Sequence, residues 1–71
     1  MKLCYDADTD SLYIELSAAP GSDAREIAPG VVADFDSGGN LVGLDIEEAS
    51  KKTDLRNFEL DALPLLMARP A

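Results

Sequence analysis

The run Asp6-Ala7-Asp8-Thr9-Asp10 sets three carboxylates at alternate positions. Such spacing lets acidic side chains converge on a hard cation, as at the start of a calcium loop. The rest of that pattern is missing. With Asp6 as its first position, Ser11 stands where the loop needs glycine, and Ser17 stands where it needs a bidentate glutamate. The reading that fits better is a tight turn whose Asp side chains accept hydrogen bonds from nearby amides. A divalent-cation-binding or weak hydrolytic site on Asp6, Asp8 and Asp10 is the alternative. A second set, Tyr13, Glu15, Asp34, Asp36 and Asp45, is expected on the wet face of a sheet. General acid–base chemistry there needs two carboxylates with separated pKa values, and no spacing in the chain singles out such a pair.

Other chemistry is sparse. The chain has no histidine, Cys4 is its one cysteine, and no glycine-rich phosphate loop ends in Lys-Ser or Lys-Thr. The familiar hydrolytic, thiol and phosphoryl-transfer constellations therefore have no candidates, so a non-enzymatic role without a cofactor is the expectation. A single cysteine excludes an intramolecular disulfide, and Cys4 reads as a small core hydrophobe. With no apolar run near the length needed to cross a bilayer, a cytoplasmic protein is expected.

Charge is the strongest compositional signal. Fourteen acids face six bases for a net charge of −8. Residues 5–48 hold eleven of the acids and only Arg25 as a base, whereas residues 49–71 hold three acids and four bases. A field of this sign repels phosphate backbones and anionic membranes, so no nucleic acid and no membrane is expected as a ligand. A basic protein is the favoured partner, with Tyr13, Glu15, Asp34, Asp36 and Asp45 as its contact residues.

Those residues must be held by strands. Lys2 to Tyr5 reads as a first strand. From Ser11 to Ser17 the alternation is strict, with Leu12, Ile14 and Leu16 on one face and Tyr13 and Glu15 on the other. Ala18 to Asp23 is rich in breakers, Arg25 to Ala28 can add a short strand, and Pro29-Gly30 bends the chain before Val31 to Asp36. Ser37-Gly38-Gly39-Asn40 is a second tight turn, with Gly39 available for left-handed angles, and Leu41 to Glu48 follows as a strand.

Residues 35–46 repeat residues 5–16 at a constant offset: Tyr5-Asp6 matches Phe35-Asp36, Asp10 matches Asn40, and Leu12, Ile14 and Leu16 match Val42, Leu44 and Ile46. Gly43 takes the place of Tyr13, so a neighbouring ring can lie over its bare backbone. Tyr5, Gly39 and Gly43 are thus structural. After Ser50 the period-2 pattern ends. Leu63, Leu66 and Met67 form a stripe, Asp61 can cap a helix, and Pro64 suits its first turn. The expectation is a mostly β, α+β single domain over residues 1–71. Residues 1–50 form an antiparallel meander of about four strands built from two similar hairpins, and residues 51–71 are helical or irregular, with a short helix near 61–68 on the apolar face. Leu12, Ile14, Leu16, Val42, Leu44 and Ile46 should line a dry interior. A chain of 71 residues makes a small core, and a homodimer through a sheet edge or the apolar tail is expected to supplement it.

At Tyr5-Asp6, Asp10, Leu12-Tyr13-Ile14, Val32, Asp34, Asp36, Gly39, Val42-Gly43, Asp45-Ile46 and Ala49-Ser50, residues 1–50 resemble a small bacterial family catalogued only as a domain of unknown function. Phe35 departs from a common Tyr and Asp45 from the usual Glu. The resemblance implies a compact β-sheet with a C-terminal helix and no established activity or cofactor. It also implies an antitoxin-like interaction module, because some members are encoded beside small toxin-like proteins.

Overall fold

The computed structural model describes residues 1–64. Five antiparallel strands form one open sheet: β1 (Lys2–Asp6), β2 (Ser11–Glu15), β3 (Asp23–Ala28), β4 (Val31–Phe35) and β5 (Leu41–Ile46). One short helix, α1 (Ala49–Lys52), follows. The fold is thus mostly β, as the alternating pattern requires, but with five strands rather than four.

The sheet order is β1-β2-β5-β4-β3, so the expected meander is corrected. The repeat explains the order. Within the two hairpins, the pairs Lys2↔Glu15, Leu3↔Ile14 and Cys4↔Tyr13 recur at the repeat offset as Val32↔Asp45, Ala33↔Leu44 and Asp34↔Gly43. The hairpins then join through their second strands, where Ile14 pairs with Leu44, its own counterpart, and Leu12 with Ile46. That register relates them by a local two-fold axis normal to the sheet through the Ile14–Leu44 pair, and such an axis keeps both apolar faces on one side. A sequential meander would instead have given the free edge of β2 to β3, whose residues on the apolar side, Asp23 and Arg25, offer no comparable apolar alternation.

The chain leaves β2 through a shared acceptor, with the Leu16 and Ser17 amides both donating to the Val42 carbonyl at 2.9 and 3.2 Å. It then passes across the sheet, bringing Gly21 against Asp34 and Val42, and enters β3 at the far edge. Pro29-Gly30 forms the β3–β4 turn, and the register slips between Glu26 and Ala28, leaving Ile27 60% exposed at the bulge.

The interior is thinner than the alternation suggested. Only Ala33, Val42 and Ala49 are buried hydrophobic residues among those described. Leu12, Ile14, Leu44 and Ile46 are half-buried and Leu16 is exposed, a correction to the six-residue dry core. A single sheet needs a second layer to dry its apolar face, and here residues 53–58 supply only a partial one. Leu55 and Phe58 border a groove of about 220 Å3 with Leu3, Leu12 and Ile14. Cys4, expected in the core, is exposed on the polar face of the edge strand. The expected helix near 61–68 is also corrected where it can be described: residues 61–64 are not helical, and Ala62 has a positive φ of 57° that an α-helix does not accommodate. Leu66 and Met67 lie outside the described residues. Among the described residues no helix is long and apolar enough to cross a membrane.

Candidate functional site

The polar face of the sheet is organised around Tyr13. Tyr13 stands opposite Asp45 of β5, and the next pair on that face, Glu15↔Gly43, leaves bare backbone beside it. The ring lies across Gly43, where an added Cβ would meet Cζ at 2.6 Å, and the hydroxyl donates to Asp34 Oδ2 at 2.9 Å. Asp34 is the β4 partner of Gly43, so Tyr13 bridges β2 and β4 over the strand between them. The Tyr13 phenol is pushed above its ordinary value, first by the hydrogen bond to Asp34, then by burial and by the charges of Asp34, Glu15 and Asp45. Tyr13, Glu15, Asp34 and Asp45 are thereby gathered on one half-buried patch.

Asp36 is not part of that patch. It sits in the β4–β5 turn, where Oδ1 accepts the Gly38 and Asn40 amides, each at 2.9 Å, and the Asn40 side chain donates to both oxygens. These donors hold its pKa below the usual carboxylate value, the Asn40 amide foremost. Gly39 in the same turn has a φ of 82°, a left-handed angle that suits glycine.

No base stands within ion-pair distance of Glu15, Asp34 or Asp45 among the described residues, whose ion pairs are Arg25–Asp23 and Lys51–Glu48. Arg25, the one base in residues 5–48, lies over the Phe35 ring at 4.1 Å. It opposes Ala33 on the apolar side of the sheet, so its charge does not neutralise the Tyr13 face. Lys2, opposite Glu15 on the edge strand, is the nearest base by register.

The Asp6–Asp10 loop works as scaffold. Asp6 Oδ1 accepts the Asp8 amide at 2.9 Å, repeating the Asp36–Gly38 bond at the equivalent position. Asp10 adopts a left-handed φ of 53°. Its carboxylate accepts the Tyr5 hydroxyl at 2.7 Å, the Ser50 hydroxyl at 2.6 Å and the Ser50 amide at 3.1 Å, and its carbonyl accepts the Ala49 amide at 2.8 Å. Asp10 thus caps α1 from forty residues away. The Ser50 hydroxyl, then the Tyr5 hydroxyl, lower the Asp10 pKa, and Asp10 raises that of Tyr5. Asp8 offers no such convergence with Asp6 and Asp10, and among the described residues no three acidic, cysteine or histidine side chains are grouped to hold a metal ion. Ser50 is the structural partner of Asp10 that spacing alone does not reveal, because the cap it completes is not local.

A family model described as Protein of unknown function (DUF2283) matches residues 2–50. The chain belongs to that family. The DUF2283 span contains all five strands, the Tyr13 patch and both ends of the Asp10–Ser50 link, while the segment bordering the apolar groove lies beyond it. No curated protein and no solved structure matches the chain.

Proposed function

We propose that this DUF2283 chain is a non-enzymatic interaction module whose Tyr13 face engages a basic protein partner, in the manner of an antitoxin with a small toxin-like protein. The observation that carries the reading is the uncompensated charge of Glu15, Asp34 and Asp45 around a fixed aromatic ring, with Arg25 held on the opposite side of the sheet. Tyrosine combines contact area with low conformational entropy, and Tyr13 is already held by Asp34 and by the backbone of Gly43. Three acids of one sign steer a cationic partner toward that ring. Asp36 contributes to the field, while its oxygens serve the turn.

Co-purification with the products of adjacent genes tests this reading. A basic protein should be retained at low salt, and Glu15→Gln/Asp45→Asn should slow its association several-fold there, with a smaller effect at high salt. Failure to retain any basic protein at low or physiological salt rejects the proposal. The cation alternative on Asp6, Asp8 and Asp10 has no observation in its favour, since Asp6 and Asp10 already serve the turn and the cap.

A further inference from the structure

The two edges of the sheet differ. β3 is broken by the bulge between Glu26 and Ala28 and ends at Pro29, features that discourage further strand pairing. β1 has a continuous register with β2 over its whole length and all five residues exposed.

Hydrogen-bond phase fixes what β1 presents. The Leu16 amide donates to the Val42 carbonyl, so the even-numbered residues of β2 bond toward β5 and the odd-numbered ones toward β1. In the β1–β2 register, Tyr13 faces Cys4 and Glu15 faces Lys2. The amides and carbonyls of Leu3 and Tyr5 therefore point outward from the sheet. Their repeat counterparts, Ala33 and Phe35, point outward from the second hairpin in the same way, and there β3 pairs with them through Arg25 and Asp23. The same hairpin thus accepts a further strand in one copy and is left open in the other.

The sequence of β1, Lys2-Leu3-Cys4-Tyr5-Asp6, is complementary to itself when reversed. We propose that β1 pairs antiparallel with β1 of a second copy about Cys4, joining two five-stranded sheets into one. In that register Leu3 pairs with Tyr5 of the second copy, so the outward amides and carbonyls of both residues are satisfied in both directions. Lys2 faces Asp6 of the second copy, twice, on the polar side. Leu3 and Tyr5, which are 43% and 50% exposed in the single chain, cover each other on the apolar side. Shifting the register by one residue sets outward groups against inward ones, and shifting it by two shortens the overlap and loses the charge match. Lys at an edge ordinarily resists pairing. Opposite Asp6 it instead favours a copy of its own strand. This pairing uses the β1 edge and does not depend on the occupant of the Tyr13 face.

Sedimentation or light scattering of the full chain should give twice the 7.6 kDa chain mass. Lys2→Glu alone sets acids opposite Asp6, and Asp6→Lys alone sets bases opposite Lys2, so each should weaken dimerisation by roughly tenfold or more. An equimolar mixture of the two variants restores both pairs and should recover a heterodimer. Cys4 meets Cys4 of the second copy at a non-hydrogen-bonded position, where Cα atoms lie about 4.5 Å apart, within disulfide range. Mild oxidation of the unaltered chain should therefore yield a disulfide-linked dimer, a readout that needs neither charge variant to fold. A mass of one chain at all concentrations overturns the proposal. So does a dimer that is indifferent to both reversals, or one that gives no Cys4 cross-link.

Discussion

Tyr13 reaches Asp34 across Gly43, with 2.9 Å between the phenolic oxygen and the carboxylate. The contact joins the two halves of the repeat, because Tyr13 and Gly43 occupy equivalent positions and only one of them carries a side chain. Two rings at these sites would compete for the same space above the central strands. One ring and one glycine instead let a single side chain span three strands and gather Asp34, Asp45 and Glu15 around it.

Gly43→Ala should therefore destabilise the chain by about 1–3 kcal/mol, the usual cost of overpacking, because the new methyl displaces the Tyr13 ring. Adding Tyr13→Ala removes the collision, so the double variant should be less destabilised than the two single effects combined. Denaturant unfolding of the four proteins measures the coupling, and additive losses would dissociate Tyr13 from Gly43.

That relationship was legible before any coordinates, since a glycine at the repeat equivalent of an aromatic residue signals a ring over bare backbone. The strands and both turns were legible too, because the alternation from Leu12 to Leu16 and the Gly38-Gly39 pair are local signals. Three features were not. The order of the strands depends on which edge β2 offers to β5, a tertiary match between Ile14 and Leu44. Helix α1 is only four residues long, and its cap comes from Asp10 across the fold, whereas the apolar stripe after Leu60 suggested a helix near 61–68, of which residues 61–64 are not helical. The partial cover over Leu3, Leu12 and Ile14 comes from residues 53–58, which carry no simple period. Of the four acids in the expected set, three meet around Tyr13 on one patch and Asp36 departs to the turn, a split that charge alone does not encode.

Both tyrosines of the chain donate to carboxylates, Tyr5 to Asp10 and Tyr13 to Asp34. The phenol proton is bound more tightly in the folded state than at the ordinary value of 10.0. The associated stabilisation is present below that value and is lost as pH rises through the raised folded pKa. An ultraviolet titration of the native chain should therefore show phenolate forming with midpoints above the ordinary 10.0. Tyr13→Phe should remove one of two such steps, and a native step at the unshifted value would contradict the Tyr–Asp bonds.

Gly39 tests backbone strain without packing, since nothing lies within 4 Å of an added Cβ there. Its φ of 82° makes Gly39→Ala costly by about 1–2 kcal/mol. In a domain of this size that lowers the melting temperature by roughly 4–16 °C. Gly39→Asn should cost less, because asparagine tolerates left-handed angles better. Equal losses for the two variants would point to something other than the turn.

Asp10 links the first turn to α1, and its removal should release the helix before the sheet. In Asp10→Ala the Ser50 amide and hydroxyl and the Tyr5 hydroxyl all lose their acceptor, so amide exchange from Ala49 to Thr53 should accelerate while β2 and β5 stay protected. Ser50→Ala should reproduce part of the effect and add little to Asp10→Ala, because both act through one link. The pH dependence has a definite sign. The folded pKa of Asp10 lies below its ordinary 3.8, so the stabilisation is complete above that value and lost as pH falls through the depressed one. Asp10→Asn should accordingly flatten the acid limb of the stability curve below the ordinary 3.8. An unchanged acid limb, or exchange that accelerates evenly over the whole sheet, would show that Asp10 does not hold α1.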